Sequence, residues 1–293
     1  MSRQDLRLRH VTIVGVGLLG GSVALAIKKA FRGVHIAGVG RRWTSLRQAA
    51  RARIIDSAYL DPAEPARQSD LVILATPVCA FGLHLARIAP HLRRGALVTD
   101  VGSTKSLVVR LAGRILGGRS GFVGSHPLAG SEQKGPAYAR ADLLRGATCI
   151  ITPTSATSPQ AASAIERLWR RMGMRTIRMT PAAHDRAMAA VSHLPHALAA
   201  VLTRLPAKGD LAVSARGFAD MTRLASGDAE VWRDVFMTNR KAMLAAIDAF
   251  DEDLMALRDL LDVGDPDGIL RFLASAKRRR DATITNKDNS GGA

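Results

Sequence analysis

The residues best suited to proton transfer in this 293-residue chain lie at the ends of short apolar runs. His126 stands in the segment GSHP (124–127), and Ser103 lies in the segment DVGSTK (100–105). A histidine, with an ordinary pKa of about 6.5, can exchange a proton with a substrate hydroxyl near neutral pH, and a serine can hydrogen-bond the same hydroxyl. The spacing indicates a candidate acid–base site. The alternative is that His126 only orders a turn.

A glycine-rich turn near the N-terminus is typical of a dinucleotide site. It contains Gly15, Gly17, Leu18 and Gly20, and it follows the apolar run VTIVGV (11–16) and opens a helical pattern. The first glycine permits a tight bend, the second lets the backbone approach a pyrophosphate, and the third lets helix and strand pack closely. The free N–H groups at the start of the helix then face the phosphates. A glycine-rich turn without a ligand is the alternative.

The end of the second predicted strand bears on the choice of dinucleotide. An NAD site normally carries an acidic residue there, but this sequence reads GVGRR (38–42) with no acid nearby. The guanidinium groups of Arg41 and Arg42 suit the 2′-phosphate of NADP, so we expect NADP to be favoured and NAD to be the alternative. Incidental surface arginines would give no such preference. Thr76 and Pro77, at the end of a later predicted strand, are expected beside the cofactor.

The elements that must position these residues change in character along the chain. Up to about residue 180, short apolar runs alternate with helical patterns, which predicts a Rossmann-type α/β domain. After it, Ala/Leu-rich stretches predict an all-α domain ending in one long helix over 231–261. We therefore expect a dinucleotide-binding domain over 1–180, a helical substrate and dimerisation domain over 181–280, and a disordered tail over 281–293. The predicted strands are 11–16, 34–39, 71–77, 96–101, 121–127, 147–154 and 175–180.

Composition excludes several classes of protein. The net charge of +17 raises nucleic-acid binding as a hypothesis, but the arginines are scattered and no basic stripe is interleaved with aromatic residues. The charge could instead steer anionic ligands, or have no function. No run approaches the roughly 20 apolar residues of a membrane span, and the first residues lack the apolar stretch of a signal peptide. With only two cysteines, Cys79 and Cys149, these features predict a cytoplasmic protein with buried free thiols.

Residues 10 to about 275 resemble the prephenate/arogenate dehydrogenase family of tyrosine biosynthesis. The resemblance implies oxidative decarboxylation of prephenate to 4-hydroxyphenylpyruvate, with hydride transfer to NAD(P)+ and no metal. The alternatives within the family are an arogenate dehydrogenase and a dual-specificity cyclohexadienyl dehydrogenase. The motifs that carry the resemblance are VGVGLLGGS (14–22), DVGSTK (100–105), GSHPLAGSEQKG (124–135), VSHLPHALA (191–199), GFADMTRLA (217–225) and D-x-x-x-W-R-D-V-F (228–236).

The same resemblance implies roles for individual residues. His126 would be the catalytic base that accepts the proton of the ring hydroxyl, and Ser103 would help to hold that hydroxyl. His196 and His193 would line the substrate pocket. Arg223 would bind a substrate carboxylate through both of its terminal nitrogens. Without the resemblance, a capping or core role would be the first interpretation of both helical histidines.

Further family positions concern the shape and specificity of the pocket. Glu132, Asp220 and Trp232 match positions that shape or close it. Arg216 stands where the family often has glycine, and a guanidinium there would favour the anionic pyruvyl group of prephenate over the aminated side chain of arogenate. Each assignment has an alternative: Arg216 could point to solvent, Arg223 could pair with Asp220 on the same helix, and Trp232 could belong to the core.

Other readings of the chain remain open. His193 and His196, with His184 upstream, have the spacing of metal ligands, but no cysteine or acidic ligand lies at a useful distance, so we expect no metal. A β-hydroxyacid or imine reductase would share the two-domain plan, and a nucleotide-sensing protein without catalysis represents a different class. The His126 motif argues against the reductases, and the intact Ser103, His126, His196 and Arg223 argue against the sensor protein. The long helix suggests a homodimer, and tyrosine, which resembles the product, is a candidate feedback inhibitor.

Overall fold

A mostly parallel eight-stranded sheet organises the first half of the computed structural model, which describes residues 6–117, 121–131, 133–207 and 209–290, with side chains to residue 283. The spatial order is β3-β2-β1-β4-β5-β6-β7-β8, and only the β6–β7 pair is antiparallel among these strands. The strands are β1 (His10–Val14), β2 (His35–Val39), β3 (Ser57–Tyr59), β4 (Leu71–Leu74), β5 (Leu97–Asp100), β6 (Gly121–Pro127), β7 (Thr148–Thr152) and β8 (Arg175–Arg178).

The sheet is buried because helices cover both of its faces. One face packs around Ile13 and Trp169, and the other packs around Leu74 and Phe81. The strand order reverses direction between β1 and β4, and ligands of open α/β sheets bind at such a point. The covering helices are α1 (Leu18–Ala30), α2 (Trp43–Arg51), α3 (Ala63–Ala66), α4 (Phe81–Ile88), α5 (Ser106–Leu116) and α6 (Pro159–Arg171).

Helices dominate the described residues after β8. Thr180 caps the first of them by accepting a hydrogen bond from the Ala183 N–H, and Pro181 occupies its first turn. Asp228 caps a later one through the Val231 N–H. These helices are α7 (Pro181–Met188), a π-helical segment (Ala189–His193), α8 (Leu194–Arg204), α9 (Arg216–Thr222), α10 (Ala229–Thr238), α11 (Arg240–Asp262) and α12 (Pro266–Ser290). The predicted fold class, a Rossmann-type domain followed by helices, is confirmed.

Four local predictions were wrong. Both thiols were expected to be buried, but Cys79, at the start of the segment after β4, is exposed and Cys149 alone of the two is buried. Strand β3 was not foreseen, because its three residues are too few to show a periodic pattern. The single helix expected over 231–261 is two helices separated at Asn239, whose backbone has φ −113° and ψ 24°. The tail is helical through Ser290 rather than disordered from 281, since Lys277 pairs with Asp281 one turn later and Thr283 donates to the Arg279 carbonyl.

Packing divides the chain into two units, residues 1–243 and 244–293. The first unit therefore includes α7 to α10 together with the sheet. Hydrogen bonds between α7 and the start of α5 account for this, since Asp185 accepts the N–H groups of Lys105 and Ser106. The second unit contains most of α11 and all of α12, joined by a turn in which Asp265 accepts the Gly268 N–H.

Candidate functional site

The glycine turn lies where three strand ends converge. Gly15 has φ +104°, a conformation that favours glycine, and its N–H donates to the Val39 carbonyl at 2.8 Å. A Cβ atom at Gly15 would stand 2.6 Å from the Ala75 carbonyl carbon and 2.8 Å from the Thr76 nitrogen. The turn, the end of β2 and the Thr76-Pro77 segment after β4 are therefore brought together as predicted from their sequence positions.

The start of α1 fits a dinucleotide pyrophosphate. Gly17 is the N-cap of α1, and no side chain caps the first turn. A Cβ atom at Gly17 would meet no atom within 4 Å, so the backbone here faces open space. Unpaired N–H groups, a partial positive charge and room for close approach are the features that bind phosphate at a helix N-terminus. A Cβ atom at Gly20 would instead overlap the Gly15 carbonyl oxygen, which explains the third glycine.

The arginines expected to choose between dinucleotides lie two and three residues beyond Val39, the β2 residue that accepts from the glycine turn. Arg41 and Arg42 follow Gly40, whose N–H donates to the Tyr59 carbonyl at 3.1 Å. Both arginines are exposed, and within the described residues neither forms an ion pair. Their guanidinium groups are thus available to a ligand at the end of β2.

A pocket of about 420 Å³ lies beyond the ends of β5 and β6. Ser103 and His126 line it from the ends of these strands. His193 lines it from the π-helical segment, and Trp232 lines it from α10. Most of the other lining residues are apolar, which limits water around the polar groups. They are Pro127, Leu128, Ala129, Met188, Val191, Ser192, Val231 and Val235.

His126 is held by a chain of buried polar groups. Its Nδ1 atom lies 2.9 Å from Nε2 of His184, and Nδ1 of His184 lies 2.8 Å from a carboxylate oxygen of Asp185. The Asp185 carboxylate also accepts the N–H groups of Lys105 and Ser106, both at 2.8 Å, at the N-terminus of α5. His184 and Asp185 are buried, whereas His126 is half-buried at the pocket.

This environment keeps the histidines uncharged. Burial, followed by the neighbouring His184 and Lys105, holds the pKa of His126 well below its ordinary value. Burial also lowers the pKa of His184, although Asp185 acts in the opposite direction. Burial lowers the pKa of His193 to about 4, with a further contribution from His184. A neutral His126 has one unprotonated ring nitrogen and can act as a base.

A fully buried ion pair lies beneath the site. Lys105 pairs with Asp100, and both side chains are 0% exposed. Asp100 also accepts the N–H groups of Gly102 at 2.9 Å and Ser125 at 3.0 Å, so the carboxylate is well satisfied. These bonds fix the loop that carries Ser103 against the strand that carries His126.

The two helical histidines occupy different positions. His193 lines the pocket, and its Nδ1 atom lies 3.1 Å from Nδ2 of Asn239. His196 stacks flat on Trp232, with ring centroids 3.6 Å apart, and is 6% exposed. Trp232, not His196, is among the residues that line the pocket in the described part of the chain. A role of His196 in substrate binding remains a prediction.

The charged residues predicted to bind substrate are less closely held. Arg223 and Arg216 are both exposed, and Arg223 forms no ion pair with Asp220 or any other described residue. Glu132 lies outside the described residues. The same loop carries Lys134, which pairs with the α10 cap residue Asp228.

Sequence reasoning missed His184, Asp185 and Asn239 as site residues. The adjacent His-Asp pair was the available signal, but His184 was weighed only as a metal ligand. Asn239 was hidden inside a predicted continuous helix. In the described part of the chain, no group of three or more potential ligands is placed to hold a metal ion. Nor is any described helix long and apolar enough to cross a membrane.

Comparisons with known proteins agree with this architecture. Residues 23–178 match the family model described as prephenate dehydrogenase, nucleotide-binding domain, and residues 180–275 match prephenate dehydrogenase, dimerization domain. The chain is 33% identical to a prephenate dehydrogenase of Bacillus subtilis over 92% of this chain and 75% of that protein. It is also 33% identical to a cyclohexadienyl dehydrogenase of Zymomonas mobilis, covering 96% and 98% of the two chains.

A solved structure is similar over the same length. Prephenate dehydrogenase from Aquifex aeolicus, crystallised with hydroxyphenyl propionate and NAD+, has a TM-score of 0.89 and 33% identity. The similarity covers 96% of this chain and 100% of that one. The family resemblance seen in the sequence motifs is thereby confirmed.

Proposed function

The chain belongs to the prephenate dehydrogenase family, and from this premise we propose that it oxidises prephenate to 4-hydroxyphenylpyruvate with transfer of a hydride to NAD(P)+ and loss of CO2. One observation carries the proposal for this chain's own residues. His126 lines a largely apolar pocket beside Ser103, and its Nδ1 is already occupied by His184. The remaining ring nitrogen, Nε2, is left for a substrate hydroxyl.

The residues of the chain supply proton transfer and positioning. His126 takes the ring hydroxyl proton at Nε2 while the carbon that bears the hydroxyl loses its hydride. Ser103 hydrogen-bonds the same oxygen and keeps it in line with His126. The bound nicotinamide serves as the hydride acceptor. As CO2 leaves, the electron pair of its bond to the ring completes the aromatic system, and the resulting phenolate oxygen takes its proton back from Nε2 of His126, so no further acid or base is required.

Substrate charge accounts for the remaining assignments. Prephenate carries two carboxylates, and Arg223, exposed and without an ion-pair partner among the described residues, is our candidate to bind one of them. His193 and His196 would contribute from α8 and the segment before it, and Glu132 would help to close the pocket. Electrostatic steering by the net charge of +17 would favour encounter with a dianion.

The choice of cofactor and the choice of substrate within the family rest on exposed arginines. Arg41 and Arg42, exposed at the end of β2 where an acidic residue would favour NAD, support NADP as the favoured cofactor. Arg216, exposed at the start of α9, supports prephenate over arogenate. The cyclohexadienyl dehydrogenase among the relatives keeps a dual-specificity enzyme as the second candidate. Tyrosine remains a candidate feedback inhibitor because it resembles the product.

We also propose that the protein is a homodimer. The match to a dimerization domain over 180–275 supports this. So does the unusual exposure of large apolar side chains in the same range, since Leu205 is 72% and Val213 is 85% exposed. A cytoplasmic location stays a prediction from composition.

The first test is reduction of NADP+ and of NAD+, followed by absorbance of the reduced cofactor, with prephenate and with arogenate. A His126→Asn variant serves as the control for the base. Activity with prephenate that falls by about 10²- to 10⁴-fold in the variant supports the proposal. A folded, NADP-binding protein that is inactive with both substrates would instead favour the nucleotide-sensing alternative.

A further inference from the structure

Two chains of hydrogen bonds link Asp185 to the pocket histidines, one through its carboxylate and one through its backbone carbonyl. The first runs from the Asp185 carboxylate through His184 to His126. The second starts at Asn239, whose Nδ2 donates to the Asp185 carbonyl at 2.8 Å and lies 3.1 Å from Nδ1 of His193. Asp185 and Asn239 are buried, so water does not replace these partners.

The first chain determines which nitrogen of His126 carries a proton. Asp185 accepts two backbone N–H groups at the positive end of α5, and its hydrogen bonds, outweighing burial, hold its pKa below the ordinary value. A carboxylate can only accept, so Nδ1 of His184 must donate to it. In neutral His184 the Nε2 atom is then an acceptor, and Nδ1 of His126 must donate to it. Nε2 of His126 is consequently unprotonated.

The second chain gives the opposite result for His193. A backbone carbonyl can only accept, so the bond from Asn239 to the Asp185 carbonyl identifies the amide nitrogen and fixes the orientation of the Asn239 side chain. The other N–H of that nitrogen donates to Nδ1 of His193. Nδ1 of His193 is therefore the acceptor, and its proton lies on Nε2.

We propose that Asp185, His184 and Asn239 are positioning residues that set opposite tautomers in the two pocket histidines, with Nε2 of His126 unprotonated and Nε2 of His193 protonated. The site thereby holds one proton acceptor and one hydrogen-bond donor at the same time. The inference rests on the proposed function and deepens it, because His126 can accept the substrate proton at Nε2 only when its own proton lies on Nδ1. None of the three residues needs to touch the substrate.

The sharpest test is Asp185→Asn, which keeps the size of the side chain. Whichever way the amide is turned, its NH2 group meets the N–H of Lys105 or of Ser106, so the carboxylate acceptor that fixes the His184 proton on Nδ1 is lost and Nε2 of His126 is no longer held unprotonated. We expect kcat to fall by about 10²- to 10⁴-fold, since a wrong tautomer in a comparable carboxylate–histidine pair costs about 10⁴. NADP+ affinity should stay within about 2-fold, because the hydrogen-bond partners of the Asp185 carboxylate are Lys105, Ser106 and His184 and not residues of the glycine turn.

The matched control is Asp56→Asn. Asp56 also accepts a backbone N–H, from Ile36 at 2.8 Å, but it lies just before β3 and next to the amino end of β2, at the opposite edge of the sheet. The kcat of the Asp56→Asn enzyme should remain within about 2-fold of the wild-type value. Retention of wild-type kcat by a folded Asp185→Asn enzyme would overturn the assignment.

A second pair of variants, at His184, tests the same hydrogen-bond chain if Asp185→Asn fails to fold. His184→Gln keeps a carbonyl oxygen that can accept from Nδ1 of His126, whereas His184→Leu removes the acceptor at similar volume. We expect the glutamine variant to retain at least about 10-fold more kcat than the leucine variant, at similar thermal stability. Equal losses in the two variants would mean that His184 acts only through packing.

The tautomers themselves are visible by NMR. Long-range ¹H–¹⁵N spectra of protein with ring-labelled histidine report which nitrogen is protonated, and His126→Asn and His193→Asn variants assign the two signals. We expect opposite patterns in the wild type, and a switch of His193 alone in Asn239→Asp, whose carboxylate must accept. Identical patterns in the wild type would refute the inference. Because this spectrum needs no turnover, opposite patterns in an inactive protein would refute the proposed function but not the tautomer assignment.

Discussion

Two glycines of the nucleotide turn, Gly17 and Gly20, should respond in opposite ways to the same added methyl group. A Cβ atom at Gly17 meets no atom within 4 Å, and its backbone angles, φ −96° and ψ −155°, are open to alanine. A Cβ atom at Gly20 overlaps the Gly15 carbonyl oxygen and stands 3.0 Å from the Ala75 Cβ. We therefore expect Gly17→Ala to impair nucleotide binding, and Gly20→Ala to impair folding.

The magnitudes follow from these contacts. For Gly17→Ala, the poorer N-cap costs a few tenths of a kcal/mol to about 1 kcal/mol, and the less flexible unfolded chain returns about 0.4–1 kcal/mol. The free energy of unfolding should change by less than about 1 kcal/mol. The methyl group would displace a phosphate oxygen from one charge-assisted hydrogen bond worth about 1.5–3 kcal/mol, which weakens binding about 10- to 100-fold. Gly20→Ala forces backbone to move, at a cost of about 3 kcal/mol or more.

Urea unfolding and fluorescence titration with NADPH separate the two effects. The expected result is an unchanged unfolding midpoint with weak binding for Gly17→Ala, and a lowered midpoint for Gly20→Ala. Wild-type affinity in Gly17→Ala would refute the placement of the pyrophosphate at this helix end. A strongly destabilised Gly17→Ala would show that the space beside Gly17 is not open.

Three further results are expected. Arg41→Ala combined with Arg42→Ala should raise the KM for NADP+ about 10-fold or more and leave that for NAD+ within about 2-fold in steady-state assays, because only NADP carries the 2′-phosphate; equal changes would contradict the cofactor assignment. Since the pKa of His126 is lowered and its neutral form is the base, kcat/KM should fall only below about pH 6.5 as His126 becomes protonated. An acidic limb at or above that value would contradict the assignment. Lys105→Met should lower the free energy of unfolding by about 3–5 kcal/mol, measured in urea, because it leaves Asp100 buried and unpaired; Asp100→Asn in the same chain should recover part of the loss.

The parallel sheet could be predicted because each of its long strands is a continuous apolar run between helical patterns. β4 shows this most clearly, since Leu71–Leu74 reads LVIL and is fully buried, and the bounds of β6 were predicted as observed, 121–127. The glycine turn and the strand-end residues Ser103 and His126 were predictable for the same reason, as the carboxyl ends of the strands must lie at one edge of the sheet. The antiparallel direction of β7 was not, because an apolar run carries no information about its direction.

The groups that orient the site could not be read from spacing. Asp185 meets Lys105 and His126 meets His184 across 80 and 58 residues, and only the fold brings such distant residues together. Periodicity was also misleading at Asn239, because the apolar positions of α10 and α11 continue in nearly the same helical phase. A hydrogen-bond donor in mid-helix carries no signal of its partner in the sequence.

The departures from regular helix lie where site residues must be placed. The π-helical segment Ala189–His193 inserts an extra residue into the helical path and ends on His193. The break between α10 and α11 lies at Asn239, which donates to His193 and to the Asp185 carbonyl. A continuous α-helix in either place would rotate one partner of this hydrogen bond away from the other, by about 100° for each residue of register. The need to orient His193 therefore explains both the π-helical segment and the break at Asn239. We expect a variant that restores regular α-helix at one of these places to lose the hydrogen bond between Asn239 and His193.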